Sequence, residues 1–386
     1  MVLAIRRGSS LRRVARRFGV SHMTVQRWCQ RAAGLRLGRV DLSSRPAGTR
    51  RPPNRTPRAM ERRILTIRRA LQRHSALGEH GAAAIHAQLL AQGLACVPSV
   101  RTIGRILFRN GLLDGRRRVR RLPPPKGWYL PDVAARQAEI DSFDTITDLV
   151  IRGGRDVTVL NGISLHGGLP ASWAKPRITA KIVVESLLEH WGIHGRPAYA
   201  KFDNDTIFQG AHQWPDSFGR VTRLCLQLGV TPVFAPPREP GFQAEIESFN
   251  GRWGRLVWHR FRHRDIQSLQ SRSDALIAAA RQRSCQRIAG APARQPMPAG
   301  FVPDFQTPLQ GTVIFLRRTD ARGQVECLGH RWPLDVNWPH RLVRLEVDLT
   351  GEQIRFYKLR RREPADQPLV KTVHYHGPKR RFSDHE

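Results

Sequence analysis

Three carboxylates in the second half of this 386-residue chain stand where an acid can do chemical work. Asp141 lies inside "QAEIDSFD", an alternating run that reads as a strand. Asp203 is the first of the acids that end "PAYAKFDND", a short apolar strand. Glu247 falls in the first turns of the helix expected after "PPREPGF". In an α/β layer, a central strand, the end of its neighbour and a flanking helix can converge on one edge. Carboxylates brought together in this way repel one another unless a cation sits among them, and hard divalent ions with oxygen ligands, Mg²⁺ or Mn²⁺, are the natural partners. Two such ions about 3.5–4 Å apart can activate a water or a 3′-OH and stabilise the leaving oxygen of a phosphodiester. Taken singly, each acid could equally be a cap or a solvated group.

Each of the three has a near neighbour; that of Asp203 is Asp205, beyond the expected strand end, where parity does not constrain it. Asp144 lies three residues beyond Asp141 on the same strand, so the two point to opposite faces. Glu245 and Glu247 are two apart on a helix, about 200° around its axis, so only one faces the site. Ile246, Phe249 and Trp253 should form that helix's core face, with Glu247 at its border beside Asn250. The expected catalytic and metal-binding set is therefore Asp141, Asp203 and Glu247, supported by Asn204, Asp205 and Asn250. On the same helix Arg252 and Arg255 are candidates to grip phosphates, whereas Trp253 and Trp258 read as core.

The surrounding chain is strongly basic. Its formal charge is +34, and residues 1–130 hold 29 of the 65 basic residues but only 4 of the 31 acidic ones. Such a skew calls for a polyanion, and nucleic acid is the usual one. A membrane surface fits less well, because no basic amphipathic stretch carries an aromatic face. No apolar run approaches the roughly 18 residues needed to span a bilayer. The five cysteines (Cys29, Cys96, Cys225, Cys285 and Cys327) have no C-x-x-C spacing. They suit a reducing cytoplasm better than a disulfide framework or a zinc site.

The N-terminal part reads as all-α. Within residues 1–35, Ser10 should cap a helix from Leu11 to Phe18, Gly19 should end it, and Ser21 should cap a second helix through Arg31. "VARRFGVSHMTVQRW" matches a helix-turn-helix in which His22, Gln26 and Arg27 would meet base edges or phosphates; a plain αα-hairpin with a solvated face would share the spacing. Residues 36–56 read as a basic, proline-rich linker. Residues 57–114 read as a second helical domain of helix-turn-helix layout, with Arg101, Arg105 and Arg109 forming a basic stripe. Residues 115–130, containing Arg116, Arg117 and Arg118, read as another basic linker. Strands and helices then alternate over 131–295, an α/β core. Short alternating runs over 306–362 suggest a small β barrel, followed by a polar, loose tail over 363–386.

With these motifs together, the chain resembles a DDE transposase of the bacterial insertion-sequence type. "AEIDSFD" resembles the family's first-acid strand. "FDND" resembles its second-acid motif, usually Asp-Asn-Gly. "GFQAEIESFNGRW" resembles its third-acid helix. The order of parts also matches over nearly the whole chain. The resemblance implies an RNase H-like integrase core, a triad of Asp141, Asp203 and Glu247, and two Mg²⁺ (or Mn²⁺) ions. It further implies cleavage and strand transfer at the ends of a mobile element. Partners would be double-stranded DNA, as terminal repeats and target, and further copies of the chain in the bacterial cytoplasm. The sequence departs from the pattern at Asp205 (usually Gly), at Ser248 (usually basic) and in the 43 residues separating Asp203 from Glu247. A catalytically inactive relative, or a regulator using only its helix-turn-helix units, is the alternative; a regulator has no need of acids in strand–strand–helix order.

Overall fold

The computed structural model of the chain describes residues 1–41, 43, 56–113, 125–211, 214–239, 241–377 and 382. They divide into two units, Met1–Glu61 and Arg62–Glu386.

In the first unit, α1 (Val2–Arg6), α2 (Leu11–Phe18) and α3 (His22–Arg31) bury Val2, Val14, Ala15 and Val25. Ser10 Oγ accepts from the Arg13 amide and Ser21 Oγ from the Thr24 amide. Each thus satisfies an amide that the first helical turn leaves without a partner. Gly19 ends α2 with φ +61°, where a side chain would be strained. His22 and Arg27 are exposed and Gln26 is half-buried. Of the expected linker, Leu37–Arg39 forms a single 3₁₀ turn, and residues 44–55 lie outside the described residues.

The second unit opens within α4 (Arg58–His74) and continues through α5 (Ala82–Ala91) and α6 (Val100–Arg109). Ser99 caps α6, Ile103, Ile106 and Leu107 point inward, and Arg101, Arg105 and Arg109 are exposed. These helices are not the separate domain that residues 57–114 suggested. Arg260 Nη1 donates to the Ser75 carbonyl at 2.7 Å, Arg283 pairs with Glu79 at 3.3 Å, and Leu77 packs against the core.

The core is one mixed sheet. After α7 (Pro131–Ala134), β1 (Ile140–Ile151), β2 (Arg155–Ser164) and β3 (Pro170–Lys175) run antiparallel. Helix α8 (Ala180–His194) crosses over to β4 (Tyr199–Phe202), parallel to β1. The short α9 (Thr206–Gln209) and α10 (Arg220–Gln227) lead to β5 (Thr231–Phe234), parallel to β4. Next come α11 (Ala244–Trp253), which runs on into a π-helical turn over Gly254–Trp258, and then α12 (Ile266–Arg283) and α13 (Cys285–Ala289).

Three expectations are corrected here. The C-terminal strands β6 (Thr312–Arg318), β9 (Leu342–Asp348), β10 (Gln353–Lys358) and β11 (Leu369–His374) do not close into a barrel. They extend the core sheet, whose order is β11-β10-β9-β6-β5-β4-β1-β2-β3, while β7 (Gln324–Cys327) and β8 (His330–Pro333) form a separate hairpin. The join is the parallel pairing of β5 with β6, Val233 opposite Ile314 and Phe234 opposite Phe315. The tail is likewise not loose over its first half, because β11 pairs with β10 and Tyr375 is buried. Trp128, Tyr129 and Leu130, assigned to a linker by composition, are buried in a core cluster with Phe242. Three aromatic or aliphatic side chains in a row provide too much apolar surface to leave in water.

Candidate active site

Strand β1 presents acids to both faces of the sheet. Its parallel register with β4 sets Ile140 beside Tyr199, Asp141 beside Ala200 and Ser142 beside Lys201. Two steps further along, the residue level with Asp203 is Asp144. Asp141 stands three residues back, about 10 Å at the rise of a strand. Asp144 is thus the β1 acid that meets Asp203.

The electrostatics agree. Burial pushes the Asp144 carboxyl up to about 6, and the negative charges of Asp203 and Glu247 push in the same direction. Asp203 is also raised, by burial first and by the neighbouring Asp205 carboxylate. Like charges that share a half-buried edge each disfavour ionisation of the other. Glu247 is exposed on the first turn of α11. The carboxylate oxygens of the three acids do not all lie within 4.8 Å of one another.

Each acid is held by the fold. Asp144 Oδ1 accepts from the Thr145 amide at 2.9 Å and Oδ2 from Asn250 Nδ2 at 2.8 Å. Asn250 is itself fixed by Asn161 Nδ2, which donates to its Oδ1 at 2.9 Å; Asn161 lies opposite Asp144 on β2 and is fully buried. Asp203 Oδ1 accepts from the Asp205 amide at 3.0 Å. Asp205 caps α9 through the Ile207 amide, and Asn204 donates to the Ala235 carbonyl at 2.6 Å.

The rotation of α11 is set by its other glutamate. Lys201, 1% exposed, donates to Tyr129 Oη at 2.9 Å and to the Phe242 carbonyl at 2.6 Å, and its Nζ lies 3.7 Å from Glu245. With Glu245 tied to β4 and Ile246, Phe249 and Trp253 buried, Glu247 is left on the side of the other two acids.

Asp141, the expected first acid, is not part of this group. Its side chain is 1% exposed on the opposite face. There it accepts two bonds from Arg294, at 3.0 and 2.5 Å, and one from Trp191 Nε1 at 3.1 Å. Burial alone would raise its carboxyl, but the Arg294 guanidinium outweighs this and holds it below the usual range. Burial also pushes nearby His190 down to about 3, so it is neutral at neutral pH. A carboxylate so saturated by fixed donors has a structural role.

Beyond α11, Lys126, Arg252, Arg255 and Arg287 line a cleft of about 540 Å³ together with Glu245 and Ser248. Trp253 is core and donates to Ser273 Oγ at 2.8 Å. Arg116, Arg117 and Arg118 lie outside the described residues.

Sequence reasoning named Asn250 but set Asp144 aside in favour of Asp141, and it missed Asn161, which fixes Asn250. A usable signal was present: Phe143 shares the face of Asp141, which marks that face as core.

No family model matches the chain. Among solved structures, it is similar to a chain of the simian T-cell lymphotropic virus intasome in complex with PP2A regulatory subunit B56 gamma. That match has 14% identity and a TM-score of 0.34 over 76% of this chain and 95% of that one. It is also similar to the catalytic core domain of BIV integrase, at 18% identity and TM-score 0.27 over 36% of this chain and 81% of that one. A third likeness is to the HTLV-2 integrase catalytic core domain in complex with magnesium, at 13% identity and TM-score 0.26 over 42% and 88%. Likenesses of this size assign no role to any residue of this chain.

Proposed function

We propose that the protein is a DDE-type transposase that cuts and joins DNA phosphodiesters, with Asp144, Asp203 and Glu247 as its acid set. The observation that carries this reading is the convergence of those three carboxylates, from β1, the end of β4 and the first turn of α11. The order strand, strand, helix is that of the expected triad, with its first member moved by three residues.

An all-oxygen, all-anionic donor set fits hard divalent cations. Asp144, Asp203 and Glu247 would hold them, and when bound the ions would supply an activated water or 3′-OH and stabilise the leaving oxygen. The chain's own residues do the positioning. Thr145 and Asn250 fix both oxygens of Asp144, the Asp205 amide orients Asp203, and Lys201 with Glu245 sets the turn of α11. The cleft lined by Lys126, Arg252, Arg255 and Arg287, on the Glu245 side of α11, would hold phosphates of the DNA. The N-terminal helices and the α6 stripe would read the element's ends.

The test is cleavage of DNA carrying the element's inverted repeats by the full chain, with Mg²⁺ or Mn²⁺ and then with excess EDTA. Metal-dependent nicking is expected. Specific end binding without nicking under any metal would instead support the inactive or regulatory reading.

The pH dependence follows from Asp144. A carboxyl held up to about 6 keeps its proton below that value, and a protonated acid does not ligate. Mn²⁺ affinity should therefore fall by about tenfold per pH unit as pH drops below 6 and level off above it. Titration calorimetry from pH 5 to 8 checks this, and a flat profile would remove Asp144 from the site.

A second expectation concerns the α6 stripe. Replacing Arg101, Arg105 and Arg109 together with alanine should weaken end binding and lower the slope of log K against log salt by up to about 3, since each lost phosphate contact removes about one unit. Binding curves at several salt concentrations measure this; an unchanged slope would place those arginines off the DNA.

A further inference from the structure

Glu352, His374 and His376 bring three side-chain donors within 4.8 Å of one another on the outer edge of the sheet, all three exposed. The placement follows from the backbone. The β9–β10 turn holds Glu352 with φ +48°, a left-handed conformation that a non-glycine residue rarely adopts. β11 runs antiparallel to β10 with His374 opposite Gln353, and the Tyr375 amide donates to the Glu352 carbonyl at 2.8 Å. Tyr375 points inward, where its hydroxyl donates to Asp216 at 2.7 Å. His374 and His376, on either side of it, therefore share the outer face. Their rings are 4.3 Å apart between centroids, and His376 Nδ1 lies 3.3 Å from Glu352 Oε2.

We propose that these three residues form a binding site for a borderline transition-metal ion of the Zn²⁺ class. Two donors each about 2.0–2.1 Å from a tetrahedral ion stand roughly 3.3–3.4 Å apart, the separation found between His376 and Glu352. Two imidazoles and one carboxylate suit Zn²⁺ and disfavour Mg²⁺, which demands oxygen. Three protein ligands leave the fourth position to water. An ion held there ties the last strand of the sheet to the β9–β10 turn. The site is independent of the carboxylates on β1, β4 and α11 and of any DNA chemistry assigned to them.

The experiment uses the full chain with Mg²⁺ present in excess, so that oxygen sites do not report. Zn²⁺ binding is followed by calorimetry, and the ligand set by the visible absorption of Co²⁺ in its place. The wild type should bind one ion at this site and show a rise in melting temperature with Zn²⁺ concentration. His374→Ala, His376→Ala and Glu352→Gln should each weaken that binding by roughly tenfold or more. Asp144→Asn should leave it unchanged. All three ligands are exposed, so the variants should fold, and circular dichroism checks that they do. Zn²⁺ binding and thermal shift that persist in a His374→Ala, His376→Ala double variant would overturn the proposal. A wild type that binds no more tightly than that double variant would overturn it as well.

Discussion

Asp144→Asn is expected to abolish strand cleavage while leaving end binding intact. The loss should be about a thousandfold or more, corresponding to about 4 kcal/mol or more of transition-state stabilisation. Asp203→Asn and Glu247→Gln should behave alike, because the three acids act as a unit and their losses do not add. The same substitution has an opposite effect on stability. A carboxyl raised from 3.8 to about 6 loses stability as pH climbs through that window. An amide there removes the charge, so the metal-free variant should be up to about 3 kcal/mol more stable than wild type at pH 7. Urea denaturation in EDTA, alongside a plasmid excision assay and a gel shift, measures all three quantities. A fully active Asp144→Asn would place the chemistry elsewhere.

Asp141→Ala should do the reverse. It leaves Arg294 and the Trp191 indole N–H without their acceptor in the core, a break that costs about 3–5 kcal/mol. The urea midpoint should fall accordingly, and Arg294→Met should cost a similar amount. The Asp141→Leu, Arg294→Met double variant should lose much less than the sum, since neither charge is then left unpaired. A carboxylate held below its usual range stabilises above the unfolded value and loses that contribution as pH falls. The wild-type advantage over Asp141→Ala should therefore shrink in acid. Where the Asp141 variants remain folded, they should still cleave DNA. A stable Asp141→Ala with no cleavage and intact binding would return Asp141 to the reacting centre.

The contrast between these two aspartates shows how far the sequence could be read. Local signals were strong. Ser10, Gly19 and Ser21 mark the ends of α2 and α3 through capping and backbone conformation, which a few adjacent residues decide. The apolar face Ile246, Phe249 and Trp253 gave the rotation of α11, and so the choice of Glu247 over Glu245. Asp141 and Asp144 could be placed on opposite faces by strand parity, but parity does not say which face meets α11. That depends on the register of β1 against β4, and on Arg294, 153 residues away from Asp141. Both are tertiary facts, and the local hint was limited to Phe143, which shares the face of Asp141. The pairing of β5 with β6, which turned an expected module into a continuation of the sheet, is tertiary as well. β3 and α12 carried no expectation at all.

That pairing also decides where the protein can be cut. A chain ended at Gln295 would retain the three acids but expose the open edge of β5, with Val233 and Phe234 losing their neighbours in β6. A short apolar strand with unpaired amides and carbonyls recruits any other strand it meets. The part that carries the acids, expressed by itself, would therefore be prone to self-association through that edge, and the C-terminal strands serve the protein first as the cover of β5.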